Sequence, residues 1–288
     1  MIGLYHRRAF VNVLAIVLAT ASTLIGLGFL ASILWITLAR GLVAFGMPLI
    51  TRITADGAQG GLANAIVGSL IIDCMAILIA APLGVMAGTW LAEYASRSRL
   101  GALIRFMNDI LLSAPSIVLG LFIYMVVVLP MSAWSNGAVS FSALAGALAL
   151  ALIALPVIVR TTDEMLRLLP STLREAALSL GVPQWKLTTQ VLLRAAGSGI
   201  LTGVLLALAR LAGETAPLLF TAFGNNFMAH GPLDKMASLP ATIYQYTNDP
   251  DPAMHAIAWA GALMITLFVL ALGMLARWFL SRGHLRHE

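Results

Sequence analysis

The sequence predicts an all-α integral membrane protein with six transmembrane helices and both termini in the cytoplasm. Three observations support this prediction. The 288 residues are 60% hydrophobic and 10% charged, with a mean hydropathy of +0.94, which leaves too few charges to cover a soluble globule of this size. Six apolar runs are long enough to cross a hydrocarbon core, for which about 20 residues are needed. The basic residues, finally, gather in alternate loops.

The first apolar run, residues 11–39, is longer than the apolar region of a secretory signal peptide, so we expect a retained first span. Residues 40–61 follow as a loop that ends rich in glycine. The second span covers residues 62–91. Pro82 interrupts this span, and neighbouring helices must satisfy the backbone groups that the proline frees.

The middle of the chain alternates in the same way. Residues 95–107 form a short basic loop, and residues 109–129 form the third span. The Ser-Ala-Pro-Ser segment at residues 113–116 predicts a kink in this span. Residues 130–140 form a loop without charges, and residues 141–159 form the fourth span.

The last third of the chain begins with a polar region, residues 160–197. A fifth span covers residues 198–223, and a longer polar loop covers residues 224–255. The sixth span is residues 256–280. Six spans place both ends of the chain on the same side of the membrane.

The basic residues indicate which side that is. Thirteen lie on the side of the termini and three on the opposite side, and loops rich in Arg and Lys stay in the cytoplasm. The thirteen are Arg7, Arg8, Arg97, Arg99, Arg105, Arg160, Arg167, Arg174, Lys186, Arg194, Arg277, Arg282 and Arg286. The three are Arg40, Arg52 and Lys235. We therefore expect both termini and the region 160–197 to be cytoplasmic.

This cytoplasmic region contains the pattern of two short helices joined at a glycine. Thr172 and Glu175 have the spacing of a capping box, which predicts a helix from about Leu173. Gly181 is a natural left-handed residue at the end of that helix, and Pro183 suits the first turn of the next one.

The first of these helices carries two small residues, Ala176 and Ala177. We expect them to lie on one face, where only methyl groups separate the backbone from an approaching protein. The helix pair is therefore interpreted as a docking element. The alternative is a capped cytosolic hairpin without a partner.

This stretch resembles the EAA loop of ABC importer permeases, whose pattern is E-A-A, three residues, G, nine residues and then I-x-L-P. The residues that match it are Glu175, Ala176, Ala177, Gly181, Val191 and Leu193. The resemblance implies that Glu175 to Gly181 dock on an ATPase. Arg194 stands where the family usually has proline, so the second helix is free to continue beyond it.

The fifth predicted span contains two charged residues, Arg210 and Glu214, within LLALARLAGETAPLLF. Arg210 lies roughly 18 Å along the predicted helix, near the bilayer centre. An arginine there costs at least about 2.5–3.5 kcal/mol, so it faces a bundle interior or a watery cavity. In a continuous helix the two side chains are one turn apart, which permits a structural ion pair. The functional alternative is an anion site, because a guanidinium fork matches two oxygens of an oxyanion.

Four further segments extend the resemblance over most of residues 62–278. They are NDILLSAPSIVLGLF, LPVIVRTTDEMLRLLPSTLREAALSLG, LARLAGETAPLLFTAFGNNF and SLPATIYQY. They look like the phosphate-specific ABC transporter permeases of the PstA type. That resemblance implies a type I, MetI-like permease fold, and it divides the chain into a first helix with its periplasmic loop (1–61), a permease core (62–280) and a cytoplasmic tail (281–288).

The same resemblance implies the partners and the roles of the charged residues. The partners would be a sister permease subunit, two ATP-binding subunits and a periplasmic phosphate-binding protein, in a bacterial inner membrane. Arg210 and Glu214 would line the translocation path. Neither a cofactor nor a metal is implied, and the chain itself would not be an enzyme, because the sequence contains no glycine-rich phosphate loop.

Other interpretations remain open at this point. The substrate of the permease could be another oxyanion, such as sulfate or molybdate, or the protein could be a stand-alone secondary anion transporter. Asp73, inside the second span, is interpreted as an interior group with a partner. His230 and His255, with nearby aspartates, could suggest a metal site, but their spacing matches no ligand motif, and we interpret them as solvated loop residues.

Overall fold

The computed structural model describes residues 2–229 and 231–284, so His230 and Arg286 lie outside the described part. Across these residues the chain is helical, with one isolated bridge between Phe223 and Met236 and no strand. In chain order the α-helices are α1 (Ile2–Gly41), α2 (Met47–Thr51), α3 (Ala63–Glu93), α4 (Arg99–Ser113), α5 (Ser116–Ile123), α6 (Leu129–Trp134), α7 (Ala143–Arg167), α8 (Ser171–Ser179), α9 (Gln184–Lys186), α10 (Leu193–Ala195), α11 (Gly197–Leu211), α12 (Ala216–Thr221), α13 (Leu239–Thr247) and α14 (Pro252–His284).

Five of the described helical segments are long and apolar enough to cross a membrane. They are α1, α3, the combined segment Ser116–Trp134, α7 and α14. A sixth crossing is available if the bent pair Gln184–Ala195 and Gly197–Leu211 counts as one span. The prediction of an all-helical protein with about six spans is confirmed.

Two of the predicted loops are wrong. Residues 99–107 belong to α4, which the Ser98 side chain caps by accepting a hydrogen bond from the Gly101 amide at 2.9 Å. Its arginines suggested a loop, but arginine is a good helix former, and apolar residues share the helix with it. The predicted loop 130–140 likewise begins too early, because α6 runs to Trp134 with Pro130 tolerated in its first turn.

The break predicted near Pro115 is present. Helix α4 ends at Ser113, and α5 begins at Ser116, so the third span starts several residues later than expected. The fourth span is longer than predicted, since α7 continues past residue 159 to Arg167. Its charged end is stabilised by ion pairs between residues one helical turn apart, such as Arg167 and Asp163 at 2.9 Å.

Helices α3 and α7 form the centre of the fold. A Cβ atom at Gly84 would lie 2.8 Å from the side chain of Ile158, and one at Gly88 would lie 2.6 Å from Cβ of Thr162. The backbones therefore approach as closely as small residues allow, which is the usual basis of helix packing in a bilayer. The buried core around them is rich in alanine, with Ile72 and Leu150 fully buried.

The loops separate to two ends of this bundle, as alternate crossings require. At one end Asn64 donates a hydrogen bond to the Asn225 carbonyl at 2.7 Å, and the Ser142 amide donates to the Thr221 carbonyl at 3.0 Å. The opposite end collects α4, the ends of α3 and α7, and the hairpin α8 to α10. All predicted outer loops thus meet at one end.

The charge asymmetry predicts which end is cytoplasmic. A fluorescent protein that matures only in the cytoplasm should be fluorescent when fused after Glu288 and dark when inserted at Asn248, which is exposed after α13. Insertion at Leu180, 83% exposed in the hairpin, is the control and should be fluorescent. Fluorescence at Asn248 would contradict the predicted orientation.

Candidate functional site

The hairpin predicted to be a docking element begins with α8, and its start differs from the prediction. Pro170 occupies the position before the helix, and no side chain caps it there. The helix begins at Ser171, so Thr172 already lies inside the first turn and cannot act as the cap. The predicted capping box between Thr172 and Glu175 is therefore wrong, because the proline starts the helix earlier.

The end of α8 follows the prediction. Gly181 has a φ of +77°, in the left-handed region. Its amide donates to the Leu178 carbonyl at 2.9 Å, and the Val182 amide donates to the Ala177 carbonyl at 3.3 Å. These two bonds form a Schellman motif, which satisfies carbonyls that the helix end leaves open.

The second helix of the hairpin begins at Gln184, so Pro183 lies at its N-cap position and not in its first turn as predicted. The helix runs through α9, a π-helical turn (Leu187–Leu192) and α10. Beyond Arg194 the chain stays helical for one residue only. It then bends by 68° into α11. The hairpin is thereby turned away from the direction of the fifth span.

The two alanines of the hairpin do not share a face. Ala176 and the neighbouring Glu175 are exposed, whereas Ala177 packs into an apolar cluster with Leu166 and Leu187. Consecutive residues of a helix point about 100° apart, so one of the pair must face inward. Ala176 alone leaves the outer backbone accessible.

The two most exposed large apolar side chains of the hairpin were not assigned to the docking element from the sequence. Leu180 is 83% exposed and Trp185 is 58% exposed. Together with Ala176 they give the hairpin an apolar outer surface. Their exposure could have been predicted from the sequence, because both residues lie near the turn at Gly181, where two short helices cannot bury every side chain.

The hairpin is fastened to the spans by Arg174, which the sequence analysis counted only as a positive charge. Its guanidinium is 2.7 Å (Nη2 to Oε1) and 3.3 Å (Nε to Oε2) from Glu93 at the end of α3. A second cluster lies beside it, where Arg105 of α4 contacts Asp163 of α7 at 2.9 Å. These pairs join parts of the chain that are distant in sequence, so local patterns do not reveal them.

The fifth span is broken at the predicted charged site. Helix α11 ends at Leu211, and α12 begins only at Ala216. Glu214 lies in the break, so it is not one turn from Arg210 on a common helix face. The structural ion pair, one of the two alternatives for these residues, is not formed among the described residues, because the helix that would align the two side chains stops before Glu214.

Arg210 has no partner within the described residues. Its side chain is exposed on the isolated chain, Glu214 is partly exposed, and neither makes a side-chain hydrogen bond or an ion pair there. Irregular backbone at membrane depth is tolerated where it is buried in protein or lines a water-filled cavity. The break is buttressed from one side, since a Cβ at Gly120 would lie 2.6 Å from Cα of Pro217.

Asp73 lies close to the same break. It is 5% exposed and lines a cavity of about 230 Å³ together with Ala212 and Phe268. Among the described residues its carboxylate has no hydrogen-bond partner, so the expectation of a partner in this chain is not met. Among the described residues Asp73 and Arg210 form no ion pair.

The described residues contain no grouping of three His, Cys, Asp or Glu side chains that could hold a metal. In the outer loop Nε2 of His255 is 2.7 Å from the Asp249 carbonyl, and Asp251 caps the start of α14 through the Ala253 amide. These contacts stabilise the loop itself.

Comparison with known proteins places these features in a family. Residues 80–282 match the family described as "Binding-protein-dependent transport system inner membrane component". A protein of Xylella fastidiosa named "Phosphate transport system permease protein PstA" is 52% identical over 99% of this chain and 98% of its own length. A protein of the same name from Pasteurella multocida is 48% identical over 96% of both chains.

The similarity extends to less similar relatives and to solved structures. A "Probable phosphate transport system permease protein PstA" of Methanocaldococcus jannaschii is 37% identical over 80% of this chain and 82% of its own. An inward-facing structure of the MetNI methionine ABC transporter superposes with a TM-score of 0.56, covering 82% of this chain and 99% of the other at 18% identity. That structural similarity supports the predicted MetI-like fold.

Proposed function

The chain belongs to the binding-protein-dependent transport system inner membrane components, and we propose that it is the permease subunit of an ATP-driven importer of inorganic phosphate. The observation that carries the proposal is the 52% identity, over nearly the whole of both chains, to a phosphate transport system permease. The family assignment favours an ABC importer over a stand-alone secondary transporter. The names of the relatives favour phosphate over sulfate or molybdate.

The proposed complex contains the subunits that would supply the functions for which this chain has no sequence motif. The chain is a multi-pass membrane protein without a glycine-rich phosphate loop in its sequence, so ATP would be hydrolysed by two ATP-binding subunits. Half of the translocation path would come from this chain and half from a sister permease. A periplasmic phosphate-binding protein would deliver the anion to the outer loops, and the membrane would be the bacterial inner membrane.

The hairpin would be the dock for one ATP-binding subunit. Glu175, Ala176, Ala177 and Gly181 keep the proposed role, with the outward contact made by Glu175 and Ala176. Ala177 and Gly181 would instead set the position of that surface, since Ala177 packs inward and Gly181 turns the chain. Leu180 and Trp185 would add apolar area to the contact.

Arg210 would contact the passing anion. A guanidinium without a partner among the described residues keeps its hydrogen-bond donors available to a ligand, and it is weakly hydrated, which suits a low-dielectric path. Glu214 would accept a hydrogen bond from a protonated phosphate oxygen, which a fully ionised sulfate cannot offer. The broken helix allows both side chains to reach the path from different directions.

The dock generates one prediction. Replacing Gly181 with valine should preserve membrane insertion but uncouple uptake from ATP hydrolysis. A left-handed dihedral costs a non-glycine residue about 1–2 kcal/mol, and relief of that strain would redirect the hairpin. Co-purification of the ATP-binding subunits and labelled phosphate uptake in vesicles measure the effect.

Two control variants separate the dihedral from the added volume. A Cβ at Gly181 has nothing within 4 Å, so a steric clash is not the cause. Gly181→Asn should retain most of the activity, because asparagine tolerates the left-handed region. Gly273→Val, at a helical glycine with similar free space, should have no effect. Full coupling in Gly181→Val would refute the docking assignment.

The anion site generates a second prediction. Arg210→Lys keeps the charge but loses the fork, so uptake should fall about tenfold or more, as expected when a charge-assisted bond of about 1.5–3 kcal/mol is lost. Arg277→Lys is the matched control at an exposed position of α14 and should transport normally. Membrane abundance is measured in parallel.

Removal of both charges tests the site more severely. Arg210→Leu combined with Glu214→Leu should assemble in the membrane, because the apolar pair lowers the cost of burial in a bilayer. The assembled complex should nevertheless fail to take up phosphate. Normal uptake by this double variant would mean that neither residue contacts the anion.

A further inference from the structure

Arg174 connects the hairpin to more than one of the spans. Besides its two contacts with Glu93, it donates a hydrogen bond to the Leu166 carbonyl at 2.7 Å and one to the Leu169 carbonyl at 2.9 Å. Leu166 lies in the last turn of α7, and Leu169 lies just beyond it. One guanidinium therefore connects the end of α3, the end of α7 and the first turn of α8.

The burial of this pair distinguishes it from a surface ion pair. The side chain of Glu93 is 4% exposed, and that of Arg174 is 24% exposed. A desolvated carboxylate needs its partner in place, because removal of one partner leaves an uncompensated charge. The geometry of the contact is also specific, since two oxygens meet two nitrogens of a planar fork.

The first turn of α8 has two faces with different contacts. Arg174 points toward the spans, whereas the next residue, Glu175, is exposed on the outer side. A residue on the outer face of α8 is therefore directly adjacent in sequence to the residue that contacts α3 and α7. Further along the two helices, α3 and α7 are packed at Gly84 and Gly88 without space for a side chain. We therefore expect a displacement of their ends to move both helices together.

The same end of the bundle contains a solvent-exposed ion pair within one helix. Arg160 and Glu164 are 2.8 Å apart on the same helix, one turn from each other, and both are about half exposed. Exposed pairs of this kind contribute little, and the same holds for the exposed contact of Arg160 with Asp109 of α4 at 3.5 Å. They provide the comparison against which the Arg174 contact can be tested.

Building on the proposed function, we propose that Arg174 and Glu93 form a mechanical clamp that transmits ATPase movement from the docking hairpin to the α3–α7 pair. Arg174 is a positioning residue in this scheme and touches neither ATP nor phosphate. Without the clamp, α8 still docks through its outer face and the ATP-binding subunits still hydrolyse ATP. The spans then no longer follow the hairpin, and hydrolysis proceeds without uptake.

The experiment uses the complete complex, with both permease subunits and the ATP-binding subunits, in proteoliposomes with the phosphate-binding protein. Phosphate taken up per ATP hydrolysed is measured for Arg174→Lys, Glu93→Gln and the double variant. Each single variant should lower that ratio at least tenfold while the complex retains its ATP-binding subunits. The double variant should be no worse than the singles, because all three remove the same contact.

Arg160→Lys is the control and should keep the wild-type ratio. The proposal is overturned if Arg174→Lys and Glu93→Gln both transport with the wild-type ratio. It is also overturned if they lose uptake only in proportion to lost ATP-binding subunits, because the contact would then serve assembly alone. Failure of the proposed function is distinguishable, since the wild-type complex itself would then show no ATP-dependent phosphate uptake.

Discussion

Helices α3 and α7 approach each other so closely that glycine is the only residue that fits at two of their contact positions, Gly84 and Gly88. In a bilayer no hydrophobic force draws helices together, so close packing of this kind has to hold the core. The remaining elements depend on that pair. The hairpin is fastened to its ends, and the broken fifth span packs against its side, where Leu218 and Ala222 face Gly146.

The spans could be predicted from the sequence because the bilayer imposes a length and a polarity that local composition reports directly. The left-handed turn at Gly181 could be predicted for a similar reason, since few residues other than glycine adopt that backbone angle. Both depend on neighbouring residues only. The charge asymmetry is likewise obtained by counting the Arg and Lys residues of each loop. It therefore predicts an orientation without any knowledge of the contacts between helices.

The errors arose where the structure depends on more than one local signal. Thr172 and Glu175 have the spacing of a capping box, but Pro170 starts the helix first. Arg210 and Glu214 have the spacing of a helical pair, but the helix ends between them. The contact of Arg174 with Glu93 joins residues 81 positions apart, and only the packing of α3 on α7 brings their ends together.

Helix α1 is attached to the rest of the chain at one end. Residues 6–36 are exposed throughout, whereas Gly41 lies against Leu263 and Arg40 stacks over Trp259 of α14 at 5.2 Å. A helix of 40 residues is about 60 Å long, so a tilt of about 10° around Gly41 moves its far end by about 10 Å. Among the described residues, the contacts that hold α1 to this chain lie near Gly41, so the angle of the helix depends on what surrounds residues 6–36. In a membrane, a hydrophobic stretch longer than the bilayer core is accommodated by tilting, and α1 has few contacts within this chain that oppose such a tilt.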